Sequence, residues 1–268
     1  MTGATLRQPA YTVRLSAGLG LLAETPILLD LWQPGMATAT LTRVARESGR
    51  FPGLSAARLA NLVADGFALR YLVDQGAPAR WLQRLQPHLA RREFTQLLFL
   101  FTCRAHAILT DFVCEVYWPA YAAGRATLAN TEAQLFVTRG NQAGKTTTPW
   151  AESTIRRAAG YLTGCCADFG LLERGARTQR RLLPYRLEPR VATIMAYERH
   201  FAGWGDNRLV AAPDWALFGL SPVDVVATLK HLALNGQLIV QTAGAVTQLS
   251  WIYTTMDEVI DAIAQSNL

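Results

Sequence analysis

Apolar side chains recur three and four positions apart along most of the chain, with polar positions between them. Leu59, Leu62 and Val63 are one such group. Because residues at this spacing share one face of a helix, the pattern predicts a mainly α protein.

The first half of the chain reads as a series of helices. We predict a helix over residues 15–32, two shorter helices over 41–49 and 55–71, and the longest helical pattern over 92–122. The two shorter helices are joined by a turn rich in Gly and Pro, in the manner of a helix-turn-helix. We therefore predict a helical N-terminal domain, residues 1–123, with a helix-turn-helix-like element.

Residues 124–149 are predicted to be a loop or linker region. Within it, Gly140 to Thr147 resembles a phosphate-binding P-loop behind a strand-like segment, residues 135–138. That motif needs four residues between its first glycine and Gly-Lys, and only three separate Gly140 from Gly144. We therefore expect no nucleotide cofactor.

The remaining residues, 150–268, are predicted to form a winged-helix-like region with short β-hairpins. A helix from Ser153 to Phe169 is followed by an apolar segment, a basic turn over residues 176–181 and a second apolar segment. This is the order of a winged helix with the turn as its wing.

A second unit of the same order follows. Ser221 and Pro222 predict the start of a helix, and Asn235-Gly236 its end. The strand-like segments 238–241 and 247–252 then flank a turn without charge. We expect this unit to pack against protein rather than phosphate.

Charge adds a candidate partner. The formal net charge is +6, and Lys145 and Lys230 are the only lysines, so arginine supplies nearly all positive charge. The planar guanidinium group suits phosphate and guanine edges. A GC-rich genome explains the same composition equally well.

The basic residues of the first winged-helix unit are therefore the candidate DNA-binding site. Together with the cation of the preceding loop they are Arg156, Arg157, Arg174, Arg177, Arg180, Arg181 and Lys145. Their contacts with phosphate would make binding strongly dependent on salt. The alternative is a solvated basic face beside a core helix.

The sequence offers little support for catalysis, metal binding or membrane insertion. The four cysteines lie in apolar helical patterns without metal-ligand spacing, which predicts buried free thiols, no metal site and a cytoplasmic protein. No sequence feature orients Cys165 or Cys166 as a nucleophile with His106 as its general base. Ionisable residues interrupt the apolar run from Leu97 to Tyr121, so we expect a core helix and no membrane partner.

The N-terminal segment resembles the BrxA family. The resemblance lies in Tyr11 to Thr25, in Leu28 to Trp32, in Phe51-Pro52, in Ser55 to Arg58 and in the helix ending near Arg70-Tyr71. It covers about the first seventy residues. Membership implies a component of a BREX anti-phage system, mainly helical, with winged-helix-like parts and affinity for DNA. No catalytic residue is carried over.

These observations favour a non-enzymatic component of a BREX-type system that binds double-stranded DNA and contacts other BREX proteins. The alternative is a scaffold subunit of the same assembly that makes no direct contact with DNA.

Overall fold

The computed structural model describes residues 10–176, 178–243 and 246–265, and confirms a mainly α fold with short antiparallel β pairs. The helices are α1 Glu24–Leu31, α2 Thr38–Glu47, α3 Ala56–Asn61, α4 Leu69–Tyr71, α5 Ala77–Leu85, α6 Arg91–Ala105, α7 Ala107–Phe112, α8 Trp118–Ala122, α9 Asn130–Gln142, α10 Glu152–Asp168, α11 Pro189–Phe201, α12 Asp206–Val210, α13 Pro222–Leu234 and α14 Met256–Gln265. The strands are β1 Thr127–Ala129, β2 Gln179–Arg181, β3 Leu238–Ala243 and β4 Val246–Trp251. Short 3₁₀ and π segments are Arg14–Ala17, Leu62–Ala68, Asp74–Gly76, Val113–Tyr117 and Pro213–Phe218.

The first helix is shorter than predicted. The pattern over residues 15–32 becomes an α-helix only at Glu24, because the leucines on either side of Gly20 adopt φ of 49°. The amide of Gly20 donates a hydrogen bond to Asp168 Oδ2 at 3.1 Å. The turn is therefore held by α10, which lies far along the chain.

The two predicted short helices are present and are joined by the Gly/Pro turn. α3 continues through the π segment Leu62–Ala68 into α4, so the second helix is unbroken to Tyr71. Ser55 caps it by accepting a hydrogen bond from the amide of Arg58.

The longest helical pattern is bent in the structure. His106 leaves helical geometry with φ of −133° and ψ of 90°, and α6 meets the following helical segments at 112°. In the described part of the chain, no single helix is long and apolar enough to cross a membrane, whereas two bent pairs reach that length and composition together.

The predicted loop region contains regular structure. Residues 124–149 include β1 and the thirteen residues of α9, and the strand-like segment 135–138 lies inside that helix. Glu132 accepts a hydrogen bond from the amide of Ala129 at the start of α9. The buried face of the helix contains Ala133, Phe136 and Val137, at a spacing that the sequence interpretation missed. The division into domains stays a prediction.

The first predicted hairpin is smaller than expected and gains a third segment. Leu172 and Leu182 form a single antiparallel bridge, and the second half of the predicted basic turn becomes β2, which pairs with β1 in antiparallel register. The amide of Leu182 also donates to the carbonyl of Ala126 at 2.9 Å. We call residues 127–183 the basic unit.

The second predicted hairpin is confirmed where the structure describes it. β3 and β4 pair from Leu238 with Trp251 to Ala243 with Val246, and α13 starts with Ser221 as its cap. Gly244 and Ala245, in the turn, lie outside the described residues. We call residues 189–265 the C-terminal unit.

Candidate nucleic-acid interface

Helix α10 separates a buried face from a basic one. Leu162 and Cys166 have no exposed surface and pack in the core, whereas Arg156, Arg157 and Gly160 are exposed. The exposed residues lie three and four positions apart, so they share one face of the helix. The same spacing that buries one face of α10 therefore presents two arginines to solvent.

Two clefts lie beside the end of α10, with volumes of about 580 and 610 Å³. Both are lined by Ala167, Asp168 and Arg174, which makes them one continuous surface. The other arginines that line them are Arg157 and Arg180 in the first cleft and Arg91, Arg92 and Arg181 in the second. A phosphate backbone placed along this surface would meet positive charge in both clefts.

Three of the predicted arginines make only long, exposed ion pairs. The side chains of Arg156, Arg174 and Arg181 are more than half exposed. Their nitrogen to oxygen distances are 3.9 Å to Glu152, 3.6 Å to Asp168 and 3.4 Å to Glu173, respectively. Such pairs contribute about 0–1 kcal/mol. These guanidinium groups can therefore exchange a carboxylate for a phosphate at little cost.

Arg180 holds the hairpin loop closed. Its Nη1 donates to the carbonyl of Glu173 at 3.0 Å, while its Nε is buried with no acceptor among the described residues. Arg157 is exposed and has one weak hydrogen bond, from Nη2 to Thr154 at 3.4 Å. Arg177 lies outside the described residues. The two clefts thus bring together four of the six predicted arginines, Arg157, Arg174, Arg180 and Arg181, while Arg156 is exposed on α10.

Lys145 lies elsewhere. It lines a third cavity of about 1250 Å³, where its Nζ contacts Asp111 Oδ2 at 2.7 Å and the Tyr11 hydroxyl at 3.1 Å. Burial acts to lower the pKa of Lys145, but the hydrogen bonds with Asp111 and Tyr11 outweigh it and raise the pKa above its usual range. The lysine is thus charged and engaged with internal partners.

The glycine of the P-loop-like segment has a packing role. A Cβ on Gly140 would lie 2.6 Å from the ring of Tyr11, so no larger residue fits against that ring without a shift. Gly140 belongs to α9, which leaves no strand before the loop. The strand, loop and helix order of a P-loop is therefore not present at this segment.

Several residues of the clefts escaped the sequence interpretation. They include Arg91 and Arg92 at the start of α6, and Asn130 and Tyr161 in the first cleft. Two arginines in the first turn of a helix interact unfavourably with its dipole. This unfavourable placement was a signal of function that the sequence contained. Tyr161 resembles one more apolar position of α10 and offered no such signal.

The cysteines match the predicted buried thiols. Cys103, Cys165 and Cys166 are buried, Cys114 is partly buried, and all four are free. Burial raises the pKa of Cys165 to about 12, so its thiol stays protonated. Among the described residues, no group of three or more His, Cys, Asp or Glu side chains could hold a metal ion.

One comparison with known proteins identifies a relationship. The family model described as BrxA matches residues 9–198, which is more than half of the chain. The matched residues include the whole basic unit and end within α11. No curated protein matches the sequence.

Proposed function

This chain belongs to the BrxA family of BREX phage-defence components, and we propose that it binds double-stranded DNA through its basic unit without catalysing a reaction. The observation that carries the proposal is the run of exposed arginines along the two clefts beside α10. Because neutralising phosphates releases counterions, such a surface supplies affinity for DNA of any sequence.

The order of elements supports the proposal. Helix α8 is followed by β1, α9, α10 and the Leu172–Leu182 bridge with β2, which is the order of a winged helix. In helix-turn-helix folds the second helix of the pair lies in the major groove. In the basic unit that helix is α10, and its exposed face has Arg156 and Arg157.

The hairpin supplies the second point of contact. Arg174 precedes the loop and Arg181 follows it, and both line the second cleft with Arg91 and Arg92 of α6. With α10 in the groove, the loop would follow the adjacent phosphate backbone. The arginines of α6 would extend that contact by one or two phosphates.

Fluorescence anisotropy with a short labelled duplex tests the proposal. The triple variant Arg157→Glu, Arg174→Glu and Arg181→Glu should bind about 100-fold more weakly at moderate salt, and its log affinity should fall less steeply with log salt, by about three units of slope. A control triple, Arg80→Glu, Arg208→Glu and Lys230→Glu, makes the same change in net charge outside the clefts. Equal losses in both triples would refute the site, and no binding by the native protein at low salt would refute the function.

A second candidate function rests on the C-terminal unit. Val223 and Leu234 are 79% and 84% exposed and lie eleven positions apart on α13, hence on one face, and Ile239 on β3 is 53% exposed. Exposed apolar side chains of this kind favour contact with another protein. In this case the chain is a scaffold that docks another BREX protein.

The two functions separate in a copurification experiment with the other BREX proteins. Under the scaffold hypothesis, Val223→Asp with Leu234→Asp loses the partner and the triple arginine variant keeps it. The opposite result would assign the partner contact, as well as DNA, to the basic unit.

A further inference from the structure

The core contains an arginine without a carboxylate. Arg70 is 1% exposed, and its single described hydrogen bond runs from Nη1 to Thr102 Oγ1 at 3.3 Å. No protein atom among the described residues accepts from its Nε or Nη2, and none of the described carboxylates forms an ion pair with it. This contrasts with Arg190, which is also buried and pairs with Glu93, and with the partly buried Arg104, which pairs with Glu198 and Asp214.

The surroundings of Arg70 are rich in further unpartnered polar groups. The hydroxyl of Tyr71 interacts weakly with Thr25, Thr102 and Arg70, but neither it nor Thr25 Oγ1 makes a hydrogen bond of good geometry with a described residue. Both ring nitrogens of His106 are likewise buried, with no hydrogen-bond partner in the described part of the chain. Hydroxyl and ring N–H groups can all donate, so several donors lie around one guanidinium group.

None of the neighbouring groups supplies a negative charge at neutral pH. Burial first, and then the charges of Arg70 and Arg14, lower the pKa of His106 to about 3, which keeps its ring neutral. Burial raises the pKa of Tyr71, and the pKa of Cys165 lies near 12, so both keep their protons. The positive charge of Arg70 is therefore uncompensated by its protein neighbours.

An uncompensated buried charge is costly. Removing one partner of a buried ion pair strongly destabilises a protein, because the remaining charge has lost its water without gaining a counterion. Internal water molecules could accept hydrogen bonds from Arg70, but they would not neutralise it. An anion does both.

We propose that the protein binds a small inorganic anion of the size of chloride against Arg70, Tyr71 and Thr25. These side chains are at most 1% exposed, so the site is enclosed, which favours a monatomic ion over a phosphate or a carboxylate metabolite. The site joins α1 and α4 near the bend at His106, where α6 ends. The anion is thus an internal ligand that stabilises this junction, distinct from any phosphate on the clefts.

Thermal unfolding of the full chain in sodium chloride and in sodium gluconate tests the proposal. At matched ionic strength, raising chloride from about 1 to about 300 mM should raise the melting temperature by about 3 °C or more beyond gluconate, because a ligand of the native state stabilises it by mass action. Arg70→Met removes the charge at similar size and should abolish that difference. Arg104→Met, which removes a carboxylate-paired arginine, should lower the melting temperature and retain the difference.

A second measurement covers a variant that does not fold. Crystals of the native protein grown in bromide should show an anomalous peak beside Arg70 Nε or Nη2. Equal melting curves in chloride and gluconate, without a halide peak, would indicate water at the site and overturn the proposal. A full chloride response in Arg70→Met would overturn it as well.

Discussion

The basic unit and the C-terminal unit are built in a similar order and differ in what they present to solvent. Each has a helix followed by an antiparallel β pair, with a leucine of that helix fully buried: Leu162 in α10 and Leu229 in α13. The exposed face of α10 has two arginines, and that of α13 has Val223 and Leu234. The comparison teaches that burial determines the common architecture, while the outward positions are free to select different partners.

The units also differ in how they are attached. The amide of Gly20 donates a hydrogen bond to the Asp168 side chain, and the hydroxyl of Tyr117 donates one to the carbonyl of Leu183, so hydrogen bonds join the basic unit to these two segments. The C-terminal unit is held by a partly buried ionic cluster of Arg104, Glu198, Asp214 and Arg199.

Breaking that ionic cluster should strongly destabilise the protein. Asp214→Asn leaves Arg104 with Glu198 and removes the carboxylate that Arg199 contacts, and should lower the free energy of unfolding by about 3 kcal/mol. Asp257→Asn, in an exposed pair with Arg84, is the matched control and should cost less than about 1 kcal/mol. Urea denaturation measures both, and equal losses would show that the buried cluster has no special role.

The same ionic cluster should make the stability of the protein depend on pH. Burial acts to raise the pKa of Asp214. Arg104 and Arg199 outweigh this effect through their positive charges and their hydrogen bonds, and they hold the pKa below its ordinary value. Its stabilising contribution is therefore present above the unfolded pKa of about 3.9 and is lost as pH falls through the lower folded value. The acid unfolding curves of native protein and Asp214→Asn should converge in that range.

Core substitutions should affect the two units equally. Leu162→Ala and Leu229→Ala each remove a fully buried side chain, and each should lower the free energy of unfolding by about 2–5 kcal/mol. The folded fraction of Leu229→Ala should still bind DNA with native affinity in anisotropy measurements. A loss of affinity there would place part of the DNA contact in the C-terminal unit.

The smallest effect concerns one methyl group on each exposed helix face. A Cβ on Gly160 of α10 would meet no atom within 4 Å, so Gly160→Ala should raise the free energy of unfolding by about 0.5–1 kcal/mol. The reverse substitution on α13, Ala227→Gly, should lower the free energy of unfolding by a similar amount. Gly160 lines the first cleft, so its added methyl should also weaken DNA binding severalfold. Unchanged affinity in Gly160→Ala would mean that DNA does not approach this turn of α10.

The sequence predicted an element correctly where the interactions that determine it join residues close together in the chain. Ser221 and Pro222 started α13 as predicted, because a cap and its first turn are neighbours in sequence. The hairpin of β3 and β4 was equally local. The start of α1 was predicted too early, because the turn around Gly20 is held by Asp168, about 150 residues away.

The same distinction explains which residues of the candidate site could be predicted from the sequence. The arginines beside α10 were visible as a basic segment, whereas Arg91 and Arg92 join them only because α6 folds against the hairpin. Lys145 was grouped with these arginines because it is also positively charged, but in the structure it contacts Asp111 and Tyr11 in another cavity.

The sequence by itself determined the helical character, the buried cysteines and the family resemblance, since periodicity and composition are local properties of the chain. Only the tertiary structure decided which cations share a surface, that β1 completes the basic unit, and that Arg70 is enclosed without a carboxylate. Those outcomes depend on contacts between residues distant in sequence, and helical spacing alone does not encode such contacts.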